Sequence, residues 1–190
     1  NSTSSADKTL INKQYQKDLE KYNIEKSSIE NQIEKNKEDI KDTENHMLKS
    51  PIFQINPFAE YVTECQLYIT GENDKIESDF SKQVAYLYYK LANSEEANEN
   101  IASDSSISVE AKYLRELYNV SIDNDIIKIK AIGNEEQQPS KIVEILLTYL
   151  QDKKSIVAQN LGAHNISILN QSTSVQVDND LVTSQTKIKT

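Results

Sequence analysis

From about Leu10 to Lys49 the chain has no Gly or Pro, and its apolar residues recur every three or four positions. The series runs Tyr15, Leu19, Tyr22, Lys26, Ile29, Ile33, Asn36, Ile40, Thr43, Met47, and almost everything between these positions is polar. Two apolar positions per heptad form the narrow stripe of a coiled coil. The spacing therefore predicts a long helix over residues 10–49, extending roughly 60 Å at about 1.5 Å per residue. Such a stripe cannot bury itself. It needs a partner helix, from the same chain or a neighbour, and the alternative is a lone solvated helix held by i,i+4 pairs. The polar residues Asn1–Thr9 ahead of it are expected to fray.

Pro51 ends this pattern, and Pro57 prevents another helix from starting at once. From Glu60 to Thr70 the period changes to two, with Cys65, Leu67 and Ile69 on one side and Glu64, Gln66 and Tyr68 on the other, which predicts a strand. Gly71-Glu72-Asn73-Asp74 reads as a turn. Helical spacing returns from Asp79 to Asn93, with Phe80, Val84, Leu87, Tyr88 and Leu91 as one stripe. Ser94 can cap a short acidic helix that holds Ile101, and Ser108 a third with Tyr113, Leu114, Leu117 and Tyr118. Val120–Ile122 and Ile126–Ile132 flank Asp123-Asn124-Asp125, a hairpin pattern. Pro139 suits the first turn of a helix that carries Ile142, Val143, Leu146, Tyr149, Leu150, Ile156 and Val157 and closes at Gly162. A last strand is expected over Asn165–Asn170, then a polar Ser/Thr/Gln/Val stretch, then a new helical pattern from Asp178 or Asn179.

After the first helix the order is strand, helices, strand, strand, helix, strand. That predicts an α+β fold: a split βαβ (ferredoxin-like) four-stranded sheet with helices on one face, plus the long N-terminal coiled-coil-type helix. Three segments follow: a helical stalk over 1–50, an α+β base domain over 51–175, and the start of a C-terminal stalk helix over 176–190. The two arms are expected to pack antiparallel. Leu19, Tyr22, Ile29, Ile33, Ile40 and Met47 form the first seam; Leu181, Gln185 and Ile188 form the second, with Leu181 near Met47 and Ile188 near Ile40.

Composition narrows the function. Of the 190 residues 27% are charged and the net charge is −9, which disfavours nucleic acid and anionic lipid as partners. Twenty lysines stand against a single arginine, and no apolar run approaches the roughly 20 residues needed to span a bilayer. Reactive constellations are sparse. The three glycines stand apart, so no phosphate loop is expected, and His46 and His164 are not spaced to hold zinc. His46 reads as solvated, His164 as a cap for helix-end carbonyls, and Cys65 as a small buried hydrophobe. The acid pairs Glu95-Glu96 and Glu135-Glu136 read as solvated turns. No catalytic residue, metal or cofactor is expected, and the chain reads as a non-enzyme. Tyr86 and Tyr89 point away from the apolar stripe of their helix at about 100° per residue. They are candidate contacts for a neighbouring protomer or a sugar ring, the alternative being that an adjacent helix of the same chain covers them.

The element pattern resembles the extracytoplasmic domain of Wzz-type chain-length determinants, the polysaccharide co-polymerases. The residues that carry the likeness are Glu60-Tyr61-Val62-Thr63-Glu64-Cys65-Gln66-Leu67-Tyr68-Ile69 for the outer strand, and Leu117–Ile122 with Asp125–Ala131 for the hairpin. A helix running to Leu161 and the strand Ile166-Ser167-Ile168-Leu169 complete it. The likeness covers about residues 57–172. Two features depart from the family pattern: Gly133–Pro139 stands where an Asp-Pro pair is usual, and Gln171–Asp180 lacks the usual proline-rich segment. The resemblance implies a homo-oligomeric scaffold at the extracytoplasmic face of the cell membrane, held by membrane helices outside this stretch. It would set the length of a capsular, exopolysaccharide or O-antigen chain made by a partner polymerase, with a cytoplasmic tyrosine kinase as a further partner in Gram-positive relatives. The alternatives are a coiled-coil adaptor of an envelope export or secretion machine, or a cytosolic ligand-binding regulatory domain.

Overall fold

The computed structural model describes residues 5–71 and 78–188. The chain divides into two compact units, Asn1–Lys49 and Ser50–Thr190. The first is one helix, α1 (Ser5–Lys49). It takes in Ser5–Thr9, which were expected to fray; Asn1–Ser4 lie outside the described residues. The seam residues of α1 are solvent-exposed, from 39% for Leu19 to 61% for Tyr22, with Ile29, Ile33 and Ile40 between them and Met47 half-buried. Intrahelical ion pairs Lys21–Glu25 at 3.7 Å, Lys26–Glu30 at 3.9 Å and Lys37–Glu34 at 3.5 Å support the helix weakly, because all six side chains are in water.

The second unit is built on an antiparallel sheet whose strands lie in the order β2 (Tyr118–Asp123), β3 (Ile126–Gly133), β1 (Glu60–Gly71), β4 (His164–Gln176). A 3-10 turn (Pro51–Gln54) leads to β1 (Glu60–Gly71). The turn expected at Gly71–Asp74 falls largely on residues 72–74, outside the described residues. Next come α2 (Ser78–Ala92) and α3 (Glu95–Ala102), where Ser94 caps as expected by accepting from the Ala97 N–H. The third helix expected from Ser108 is instead a 3-10 segment, Ala111–Glu116, and Tyr118 opens β2 (Tyr118–Asp123). Tyr118 is buried against the sheet rather than on a helical stripe, because it pairs with Ala131 of β3 (Ile126–Gly133). The hairpin turn carries Asn124 at φ 57°, a left-handed conformation that Asn tolerates well.

The single helix expected to run to Gly162 is two, α4 (Gln137–Asp152) and α5 (Lys154–Leu161), with a break at Lys153. Gly162 closes α5 at φ 115°. The strand expected to stop at Asn170 runs on as β4 (His164–Gln176), paired with β1 from Gly71 to Glu60. Serines and threonines that look like loop in sequence are held as strand by this ladder.

Alternation along the strands sets two faces. Cys65, Leu67, Ile69, Val120, Ile127, Ile129 and Ala131 are buried, and α2 and α4 pack against the sheet. Between them Asn119, Ser121, Glu64, Lys128 and Lys130 are exposed, a sheet with one covered and one wet face. Tyr88, Val84, Ile142, Leu146 and Leu150 supply the helical half of the core.

The C-terminal helix α6 (Asn179–Ile188) belongs to this second unit, which corrects the expected stalk seam. Leu181 is buried in the hydrophobic cluster that also contains Ile55. The cause is the length of β4. It brings Asp178 to the start of β1, where its N–H donates to the Pro57 carbonyl at 2.8 Å and its carboxylate caps the Leu181 N–H at 2.9 Å. The Gln185 amide then donates to the Ile55 carbonyl at 3.0 Å, pinning α6 to the connector. The side chain of Ile188 lies outside the described residues. Substituting Leu181→Ala should therefore lower the stability of this unit by about 2–3 kcal/mol in a denaturant melt. Ile29→Ala on α1 should leave that transition in place.

Candidate functional site

The second half of α2 turns a polar-aromatic face outward, while Ser81, Val84, Ala85, Tyr88 and Ala92 of the same helix are fully buried. Tyr86 is 53% exposed. Tyr89, expected beside it on the outer face, is only half-buried and packs its ring partly against the core. The i,i+3 spacing places the two rings 6.1 Å apart and tilted by 32°. Lys90 Nζ lies 5.3 Å from the Tyr86 ring centre and 6.0 Å from that of Tyr89. One exposed aromatic, a second that braces it, and an ammonium beside both can stack on the C–H face of a sugar ring and donate to its oxygens. The same patch can equally receive an aromatic or acidic side chain of a neighbouring protein.

The other groups singled out in sequence are committed to structure. His164 is buried, and its Nδ1 is 2.9 Å from the Gly162 carbonyl oxygen. A carbonyl only accepts, so Nδ1 carries the proton, and Nε2 accepts from the Tyr88 hydroxyl at 2.7 Å in the neutral ring. This pair clasps α2 to the start of β4. It is closed to substrate, because Tyr88 has no exposed surface and burial pushes its hydroxyl up to about 12. Cys65 is fully buried, and desolvation raises its thiol pKa, which makes it a poor nucleophile. His46 sits on the exposed face of α1.

Neither acid pair forms a dyad. Glu96 accepts from Lys153 Nζ at 2.6 Å and from the Tyr149 hydroxyl at 3.1 Å, and its carboxyl is held below the ordinary value by those two bonds. Glu135 and Glu136 are exposed at the start of α4. Among the described residues no group of three His, Cys, Asp or Glu side chains is placed to hold a metal ion.

Three polar features were not visible in sequence. Arg115, the single arginine, donates to the Asn93 side chain at 2.9 Å and to the Ala92 and Ser94 carbonyls at 3.2 and 3.3 Å, with its guanidinium 4.6 Å over the Tyr118 ring. A lysine could not make this fork and stack together, so one arginine among twenty lysines was the available signal. The hydroxyls of Thr63, Ser140 and Thr173 form a triangle with sides of 2.9 to 3.1 Å, joining β1, α4 and β4. Glu60 is 1% exposed, its Oε1 accepts from Gln176 at 3.3 Å, and its Oε2 has no partner among the described residues. Desolvation raises its pKa, Asp178 adds to this, and Gln176 and Lys130 oppose it.

No protein-family model matches this chain, and no characterised protein matches it in sequence.

Tyr86→Ser should leave the melting temperature nearly unchanged, whereas Tyr89→Ser should cost about 1–2 kcal/mol because it empties part of the core edge. A stability loss at Tyr86 equal to that at Tyr89 would show Tyr86 to be core. Tyr88 and Tyr118 are both pushed up to about 12 from an ordinary value near 10. Between these values the unfolded chain has lost protons that the folded chain keeps, so stability falls as pH rises from 10 to 12. A pH series of denaturant melts should show this loss, reduced in Tyr88→Phe.

Proposed function

We propose that this chain is a non-enzymatic scaffold: the extracytoplasmic part of a membrane protein that oligomerises and regulates the chain length of a surface polysaccharide with a partner polymerase. The observation that carries the reading is the order β1-α-β2-β3-α-β4 on a sheet of order β2-β3-β1-β4. That order supports a split βαβ, ferredoxin-like base of the kind the resemblance implies. The chain also carries a 45-residue helix with an unburied seam. The Wzz-type likeness of residues 57–172 supplies the polysaccharide. A capsular, exopolysaccharide or O-antigen chain fits equally, and a cytoplasmic tyrosine kinase is a further partner of the full-length protein.

The described residues contain no helix long and apolar enough to cross a membrane, so anchoring is assigned to segments outside this stretch. The Tyr86–Tyr89–Lys90 patch is the proposed contact for a neighbouring protomer or for glycan.

The test is made in the source organism with the full-length gene. Deletion should broaden or shift the size distribution of the surface polysaccharide on a gel, and the intact gene should restore it. Tyr86→Ser, which preserves the fold, should shift the modal length without abolishing polymer. A size distribution unchanged by deletion would discard the reading. It would favour the adaptor alternative if secretion of an envelope protein failed instead.

A further inference from the structure

The longest free edge of the sheet is β4. It spans 13 residues and, among the described residues, pairs with β1 alone, at the end of the order β2-β3-β1-β4. About half of its residues therefore aim backbone N–H and C=O groups outward, away from β1. Natural edges are blunted by lysine, proline, shortness or a bulge. The other edge, β2, is short at six residues and ends in Asp123, which is ion-paired with Lys128 at 2.9 Å. β4 has neither lysine nor proline, and its one ionisable group is the buried His164. Its register slips opposite Gln66 and Leu67, leaving Leu169 without a place in the ladder. That irregularity interrupts the first half and leaves Asn170–Gln176 as an unbroken, exposed stretch.

We propose that Asn170–Gln176 is a self-association edge, pairing antiparallel with the same stretch of a second copy to join the two sheets into one. The axis passes through Thr173. Gln171 then faces Val175 of the second copy, Ser172 faces Ser174, and Thr173 faces Thr173. This register keeps both faces of the two sheets aligned, because side chains alternate with period two. It also covers Val175, which is 55% exposed in the single chain.

Charge selects a second copy as the occupant. A two-fold contact sets the strand against an identical strand, so any net charge on it meets its like. Two copies at −9 each repel over most of their surface, and β4 is a long exposed strand free of that conflict, with Thr and Ser pairs at its centre. The α1 seam is a poorer self-partner. In a parallel pair its flanks would oppose Glu25 with Glu30 of the second copy and Asp39 with Glu44. The inference is independent of the polysaccharide reading, and its test uses no glycan.

Sedimentation of the chain over a concentration series should show a reversible dimer. The double variant Ser172→Lys/Ser174→Lys sets like charges across the joint twice and should weaken association roughly tenfold. Its fold should survive, because both positions are exposed and Ser172 lies beside Glu64 in its own sheet. Should that variant fail to fold, cysteine trapping gives the answer. An equimolar mixture of Ser172→Cys and Ser174→Cys chains should cross-link faster than either alone, with the buried Cys65 not competing. Four results would overturn the proposal: a monomer at every concentration; equal cross-linking in mixed and single samples; faster trapping of Ser172→Cys by Ser121→Cys on β2, which marks head-to-tail pairing; or a dimer lost on Ile29→Lys/Ile33→Lys but kept in the β4 double variant, which moves the contact to α1.

Discussion

The fold of the second unit depends on β1 being hydrogen-bonded along both sides. From Tyr61 to Tyr68 it pairs with β3, and from Glu60 to Gly71 with β4. One strand thus carries two long-range antiparallel ladders; β3 reaches it by way of α2, α3 and the hairpin from β2, and β4 by way of α4 and α5. The register with β3 sets Cys65 against Ile129 and Leu67 against Ile127, which builds the core face. The register with β4 decides where the chain goes next: it returns Asp178 to Pro57 and seats α6 on the connector. A one-residue slip in the ladder with β3 would turn the apolar set of β3 into water.

Polar groups then close the places that apolar packing does not reach. Tyr88 and His164 join α2 to β4 across a buried 2.7 Å bond, and Arg115 ties the α2–α3 junction to Tyr118. The Thr63–Ser140–Thr173 triangle bridges α4 to the sheet at β1 and β4. Groups satisfied in this way lose the freedom to do chemistry. Among the described residues the hydroxyl of Ser81 is left without a partner, and so is one oxygen of the buried Glu60 carboxyl. Its raised pKa means that it opposes folding as pH climbs through the range where the unfolded chain ionises first.

What the molecule presents outward is of a different kind. α1 offers a row of aliphatic and tyrosine side chains too narrow to bury alone, α2 offers Tyr86 beside Lys90, and β4 offers an uncharged edge. Each has the chemistry of a different proposed contact: helix packing, ring stacking and strand addition. The scaffold reading draws its support from this division between a closed interior and unmet surfaces.

The elements that sequence alone determined are those whose pattern is local. α1 followed from a three-to-four spacing without Gly or Pro, the β2–β3 hairpin from period two around Asp123-Asn124-Asp125, and the α3 start from Ser94. In each the residues that encode the element also make its hydrogen bonds. Tyr86 was legible on the outer face of α2, since a period of 3.6 assigns faces without reference to the rest of the chain. Tyr89 was not, because its burial depends on what packs beside α2. Only the tertiary structure decided that Gln171–Gln176 is strand, since serine and threonine there extend because β1 holds them. It alone decided that Tyr118 begins a strand, through its pairing with Ala131, and that Leu181 enters the core rather than a stalk seam. Leu181, Gln185 and Ile188 have the same spacing in either setting. A helix stripe states that a face must be covered, and the path of the chain decides what covers it.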